Sequence, residues 1–397
     1  MTLTMTAAAP GPSGRAGAAA RPDRPTLTEL RLSAFAGHRR TTIPLGPLTF
    51  LSGPSGSGKS TALRAYAALA RLASGDALDE VFPDPVSCVP ESARADSQGR
   101  RGFRIGCTVE GPAGPVRLDL AVQAEPGLRI VGERLTAGPL TLLETALRDP
   151  GKRAVQAAWH TAGTAPVTRA PLPDDLLGTA LLPLRVAGKT AGQRQVLAAA
   201  EQMVVALRSV FGCDPQPDRM RGPAPAGQGR LLGDCANLAE VLRRTHDECP
   251  IRHGILVRTL GAGCRGTTAD LLAEELGGGR VRAVLQRRDG GRTPVERLGD
   301  GELRFLALAL VLLTGPGVLE VDPAAEVPEA FQALTVLADG FDRGLDLRQL
   351  GELGRLAAQT CARGHIRLLA AVGSTDWLPE PPDGAGPGAL RVVDLGR

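Results

Sequence analysis

Aromatic residues are scarce in this 397-residue chain: one tyrosine, two tryptophans and eight phenylalanines. Lysine is scarcer relative to its partner type, with only Lys59, Lys152 and Lys189 against 43 arginines. Long hydrophobic runs are missing. The longest, FLALALVLL at residues 305–313, is far short of the ~20 residues a helix needs to cross a bilayer, so no membrane partner is expected. The seven cysteines (Cys88, Cys107, Cys213, Cys235, Cys249, Cys264 and Cys361) contain no CxxC pair. That argues against a zinc ribbon or a disulfide framework and fits a reducing, cytoplasmic setting. Residues 1–25 lack an apolar segment of signal-peptide type and are expected to form a disordered tail. Heptads and internal repeats are also absent, which excludes long coiled-coil arms. A net charge of +4 is too near balance to imply a general pull on nucleic acid.

What is present is 50 glycines and 32 prolines punctuating apolar segments. Residues 27–35 and 45–53 have the pattern of strands separated by the polar AGHRRTT, and an alanine-rich helix is expected from Lys59 through residue 74. After a proline-rich loop at 81–90, residues 102–111 and 114–125 alternate like an antiparallel pair. From about 140 to 279 the pattern predicts a mainly helical insert or lid, broken by an exposed loop at 215–229. Residues 237–248 are expected to be helical, as is TTADLLAEELGGG at 267–279 with its Thr start and Gly stop. A hairpin turning at Asp289-Gly290-Gly291 follows, then a helix at 301–313, a strand at 318–322, helices through Ala362, and strands at 366–372 and 390–395. The segments divide as tail (1–25), a first core half with an antiparallel subdomain (26–139), the insert (140–279) and a second core half (280–397).

GPSGSGKST, residues 53–61, matches GxxxxGK[ST] after an apolar strand and before a helix. Each residue type has a reason. Gly53, Pro54, Ser55, Gly56, Ser57 and Gly58 form a loop whose amides can curl around phosphate oxygens. Lys59 reaches the outer phosphates, Ser60 can bind Mg2+, and Thr61 continues the helix start. In a chain with three lysines, one at this slot is informative. ATP or GTP binding follows, and the absence of NKxD argues against a GTPase.

A second segment, RLGDGELRFLALALVLL from Arg297, runs a loop into an apolar helix. Leu298, Gly299, Asp300, Gly301 and Glu302 resemble the signature of ABC-type ATPases (Leu-Ser-x-Gly-Glu/Gln), with Gly299 in place of the serine. With LRLSAFAGHRRTTIPLGPLTFLSGPSGSGKST at 30–61, the chain resembles the RecF/SMC-like branch of that family. Within the branch it is similar to the compact, arm-free AAA-family ATP-binding proteins of actinobacteria, whose high-GC genomes favour arginine over lysine. The resemblance implies an α/β P-loop NTPase with an ABC-ATPase-like core, a mixed sheet with an antiparallel subdomain. It also implies ATP and Mg2+ as cofactors, and a head-to-tail homodimer in which each signature loop completes the partner's site.

In that family the acidic strand ends Asp-Glu-Pro, the Asp supporting Mg2+ and the Glu orienting water. Here residues 320–323 read Glu-Val-Asp-Pro. If Asp322 is the metal acid, Pro323 stands in the glutamate slot; if Asp322 takes the glutamate slot, Val321 replaces the metal acid. Glu320 shares a strand face with Asp322 and Glu326 follows in the loop, so either can compensate. The family's phosphate-sensing histidine after the next strand has no counterpart near Gly373 and Ser374, and Gln98 or Gln123 is available as the magnesium-contacting glutamine. Impaired hydrolysis is expected. Arginines 280, 282, 287, 288, 292 and 297 are placed to meet DNA phosphates, so a DNA-maintenance or defence role stands beside an alternative: a regulatory scaffold that recruits a protein effector. A transporter energy subunit fits less well.

Overall fold

The computed structural model describes residues 24–163, 165–227, 229–266, 268–315, 317–321, 327–328, 331–378 and 388–396. The expected disordered tail thus lies outside the described residues except for Arg24 and Pro25. A hairpin of β1 (Thr26–Phe35) and β2 (His38–Pro44) leads to β3 (Leu48–Ser52) and α1 (Lys59–Ser74). After α2 (Leu78–Val81) come β4 (Arg101–Glu110), β5 (Val116–Glu125), β6 (Arg129–Ala137), β7 (Leu140–Ala146), β8 (Ala154–His160) and β9 (Val167–Pro173). Helices α3 (Gly178–Arg185) and α4 (Ala191–Arg208) precede β10 (Val210–Cys213), α5 (Pro217–Met220), β11 (Ala224–Pro225), α6 (Leu238–Glu248) and α7 (Pro250–Gly263). The remainder is β12 (Thr268–Leu276), β13 (Arg280–Arg287), β14 (Arg292–Pro294), α8 (Asp300–Leu313), β15 (Leu334–Ala338), α9 (Leu347–Ala362), β16 (Ile366–Ala371) and β17 (Leu390–Asp394).

Among the described residues three sheets result. Eight antiparallel strands run in the order β2-β1-β4-β5-β6-β7-β8-β9, five parallel strands in the order β10-β15-β16-β3-β17, and β11, β13, β12 and β14 form a small third sheet. In the parallel sheet Val336 pairs with Leu368, and Phe50 with both Ala370 and Val392. Helix α1 joins the two large sheets. Its buried Ala62, Ala65, Tyr66, Leu69, Leu72 and Ala73 share one core with Leu30 and Cys107 of the antiparallel sheet and with Leu369 and Ala371 of the parallel one. Alanines there favour the helix and let both sheets approach closely. A second core gathers Phe50, Leu334, Val336 and the apolar residues of α8. Among the described residues no helix is long and apolar enough to cross a membrane.

Several sequence expectations need correction. AGHRRTT is not a mere separator: most of it is β2, hydrogen-bonded to β1. Residues 140–279 hold strands as well as the expected helices: β7 to β9 precede α3, and β10 to β12 lie among or after α3 to α7. The expected exposed loop at 215–229 contains α5 and β11 and buries Met220 and Ala224. Residues 268–276 are the strand β12, not a helix; their Ala, Leu and Glu favour helix, but pairing with β13 overrides propensity. The expected glycine stop is a hairpin turn, with Gly278 and Gly279 at φ 77° and 68°. Of the expected strand at 318–322, the described residues 318–321 show one bridge, Leu319 to Leu231. The helices expected through Ala362 are interrupted by β15.

Candidate functional site

In the parallel sheet all strands end at one edge. There β3 hands over to residues 53–58, β10 to Asp214, β15 to Asp339 and β16 to Gly373 and Ser374. Ligands of open parallel sheets sit outside such carboxyl ends. A cleft of about 370 Å3 lies there, its lining including Ser60, Arg64, Cys213, Asp214, Gln216 and Asp339.

The loop after β3 is curled by glycine. Gly53, Gly56 and Gly58 have φ of 133°, 82° and 92°, a region that other residues enter only with strain. A Cβ at Gly58 would also collide with the imidazole of His38. That histidine is 6% exposed, donates from Nε2 to the Gly58 carbonyl at 3.0 Å and lies 3.3 Å from the Thr41 hydroxyl through Nδ1. It props the loop from β2, a support the sequence did not reveal. Lys59 Nζ donates to the carbonyls of Gly53 at 2.7 Å and Pro54 at 3.0 Å. The Ser57 hydroxyl is buried without a partner. The Ser60 hydroxyl donates to Asp339 Oδ1 at 3.0 Å.

This donor set fits a phosphate group and Mg2+. The sixteen-residue α1 begins at the loop with no acid in its first turn, so its amide end favours an anion. A hydroxyl beside a carboxylate suits a hard cation that keeps most of its water.

Among the described residues the acid beside Ser60 is Asp339; the expected Asp322 lies outside the described residues with Pro323 and Glu326. Glu320 is not on a strand and does not line the cleft; its amide donates to the Leu231 carbonyl at 2.9 Å. The missed signal is LTVLADG, a short apolar run ending in Asp-Gly at residues 334–340. The residue after Asp339 is Gly340, at φ 56°, where a Cβ would meet the Arg343 guanidinium at 2.8 Å. A side chain at that position is thus opposed by backbone strain, the exposed Arg343 tip being free to shift. Asp342 accepts from the amides of Gly373 at 2.7 Å and Ser374 at 3.2 Å, joining the ends of β15 and β16. Neither Gln98 nor Gln123 reaches the cleft: Gln98 is in an exposed turn and Gln123 is buried in β5, donating to the Gly127 carbonyl at 2.9 Å. Gln216 lines it instead and donates to Asp214 Oδ2 at 2.8 Å.

The expected signature segment opens α8. Leu298 is buried, whereas Gly299 and Asp300 are exposed. Glu302 accepts from the Gly299 amide at 3.2 Å, and Asp300 forms an ion pair with Arg221. None of residues 298–302 lines the cleft of their own chain. One turn further on, Arg304 is buried and donates to the carbonyls of Pro215 at 2.5 Å and Gly340 at 2.9 Å, and to Asp214 at 3.4 Å. It ties α8 to the loops after β10 and β15. The expected basic strip is largely occupied within the fold. Arg282 and Arg292 share Glu274 at 2.6 and 2.9 Å, Arg280 donates to the Pro223 carbonyl, and Arg287 donates to the Arg265 carbonyl at 3.3 Å.

No protein-family profile and no curated protein sequence matches the chain. Solved structures of similar shape exist. An SMC head bound to the C-winged helix domain of ScpA aligns over 89% of this chain and 90% of its own, with 12% identity and a TM-score of 0.48. The SMC head domain from Thermotoga maritima covers 88% and 89%, at 13% identity and TM-score 0.38. A Smc head with an extended coiled coil bound to the C-terminal domain of ScpA, derived from Pyrococcus furiosus, covers 89% and 91%, at 10% identity and TM-score 0.43. At such low identity the functional reading rests on the geometry of the cleft.

Proposed function

We propose that residues 53–61 bind ATP with Mg2+ and that two copies of the chain close around the nucleotide. Hydrolysis is slow, so the protein works as a nucleotide-gated switch. The carrying observation is the 3.0 Å hydrogen bond from Ser60 to Asp339, which joins the loop to a strand end 279 residues away. In this reading Lys59 and the loop amides hold the phosphates, Ser60 and Asp339 hold Mg2+, and Gln216 faces the same cleft. The bound Mg2+ neutralises phosphate charge, and the chain's own groups do the orienting. Of the signature residues, Gly299 and Asp300 are exposed at the start of α8 and do not line their own cleft, so they can meet the nucleotide of a second copy.

Slow hydrolysis follows from Gly340. It stands directly after the proposed metal acid, where the family resemblance expects the water-orienting glutamate, and a glycine has no side chain to orient water. Losing such a group costs a factor on the order of 100 to 10,000. Binding energy that is not spent on turnover can hold a closed dimer. The internal pairing of Arg280, Arg282, Arg287 and Arg292 supports a protein effector over DNA as the partner that reads this state. The test is ATP turnover by the purified chain with and without duplex DNA. Slow turnover, unchanged by DNA, is expected; a rate above about 10 per second, the median for enzymes, would overturn the switch, and strong stimulation by DNA would overturn the effector.

A further inference from the structure

We propose a second metal site, for a divalent transition ion of the zinc type, where α6, α7 and β12 meet. Its residues are His246 in the last turn of α6, His253 in the first turns of α7 and Asp270 near the start of β12. One ring nitrogen of each histidine and one Asp270 oxygen lie within 4.8 Å of one another; the imidazoles are the ligands and Asp270 backs His253. The two imidazoles stand edge to face, their centres 4.8 Å apart.

The hydrogen bonds set both rings for ligation. His253 is 8% exposed, and its Nε2 lies 2.7 Å from Asp270 Oδ1. Because a carboxylate oxygen accepts, Nε2 carries the proton, and in the neutral imidazole Nδ1 presents a lone pair. That Nδ1 is buried with no partner. A buried nitrogen without a donor is an unfavourable arrangement for a purely structural histidine, and it is what a metal ligand requires. His246 is arranged in the mirror sense: its Nδ1 lies 3.0 Å from Asp247 Oδ1, leaving Nε2 as the lone-pair atom. Each imidazole is thus backed by a carboxylate, the arrangement that fixes the tautomer and raises the basicity of metal-binding histidines. Nitrogen donors select zinc, cobalt or nickel over magnesium. Asp270, 2.7 Å from His253 Nε2, adds negative charge behind that ring, and water completes the coordination around the two imidazoles. The ion would pin the α6–α7 pair onto β12, separate from the cleft at the parallel sheet.

The experiment uses the full chain stripped of metal and titrated with Co2+, followed by visible absorption, and with Zn2+ against a chromophoric chelator. One ion per chain is expected. His246→Ala, at an exposed position, should weaken Zn2+ binding at least tenfold with the circular dichroism spectrum unchanged. Asp270→Asn, which removes only the charge behind His253, should weaken it by roughly 10 to 100-fold. Cys249→Ser, at the junction of α6 and α7, should leave it unchanged. Failure to bind either ion, or binding that survives both His246→Ala and Asp270→Asn, would overturn the site; loss on Cys249→Ser alone would place the ion on thiols and overturn it as well.

Discussion

A guanidinium that is 4% exposed needs acceptors, and Arg304 finds three of them on the loops that follow β10 and β15. Arg304→Met keeps the bulk and removes the donors. It should destabilise the protein by about 2–4 kcal/mol in urea unfolding, and an unchanged midpoint would show the contacts to be dispensable. Glu133 presents the opposite problem. It is buried, and burial pushes its carboxyl above the usual range, against the hydrogen bonds from Thr179 and from the Gly178 and Thr179 amides. The folded chain then holds this proton more firmly than the unfolded chain does. Stability should therefore fall as pH rises from about 4.3, the unperturbed value, through the raised one. Glu133→Gln should lower stability overall yet flatten that slope in urea unfolding across pH 4–8; an identical slope would exclude Glu133 as its source.

At the scale of elements, the loop after β3 and the helix α8 were legible in the sequence because their logic is local: strand, glycine-rich loop, helix. The strand β15 was not. It is short, buried along its whole length and lacks both polar alternation and a pair of acids, while Asp322-Pro323 offered a nearer acid. Gln216 could not be assigned because only the parallel pairing of β10 with β15 brings it to Ser60 and Asp339. His38 reaches Gly58 only through the β1–β2 hairpin. Strand β12 was lost to its helix-favouring composition, and its pairing with β13 decides the matter through a turn. Gly278 there has φ 77°, and a Cβ added to it would have nothing within 4 Å, so substitution isolates the backbone cost. Gly278→Ala should destabilise by roughly 1 kcal/mol, measured by urea unfolding; no loss would contradict the turn.

On the scale of the whole molecule, the parallel sheet is assembled from distant parts of the chain. β3 comes early, β10, β15, β16 and β17 come late, and the antiparallel strands β4 to β9 lie between them in sequence. Helix α1, which starts at the proposed phosphate site, is also packed against both large sheets. A ligand at its first turn is therefore in direct contact with the element that joins the two halves, which gives nucleotide binding a physical route to a change in shape. The most direct measurement is calorimetric titration of Mg·ATP into the folded full chain beside Lys59→Ala. Saturable uptake of one ATP per chain, abolished by Lys59→Ala with the fold intact, is the predicted result; no uptake by the unsubstituted chain, or equal uptake by both, would contradict it.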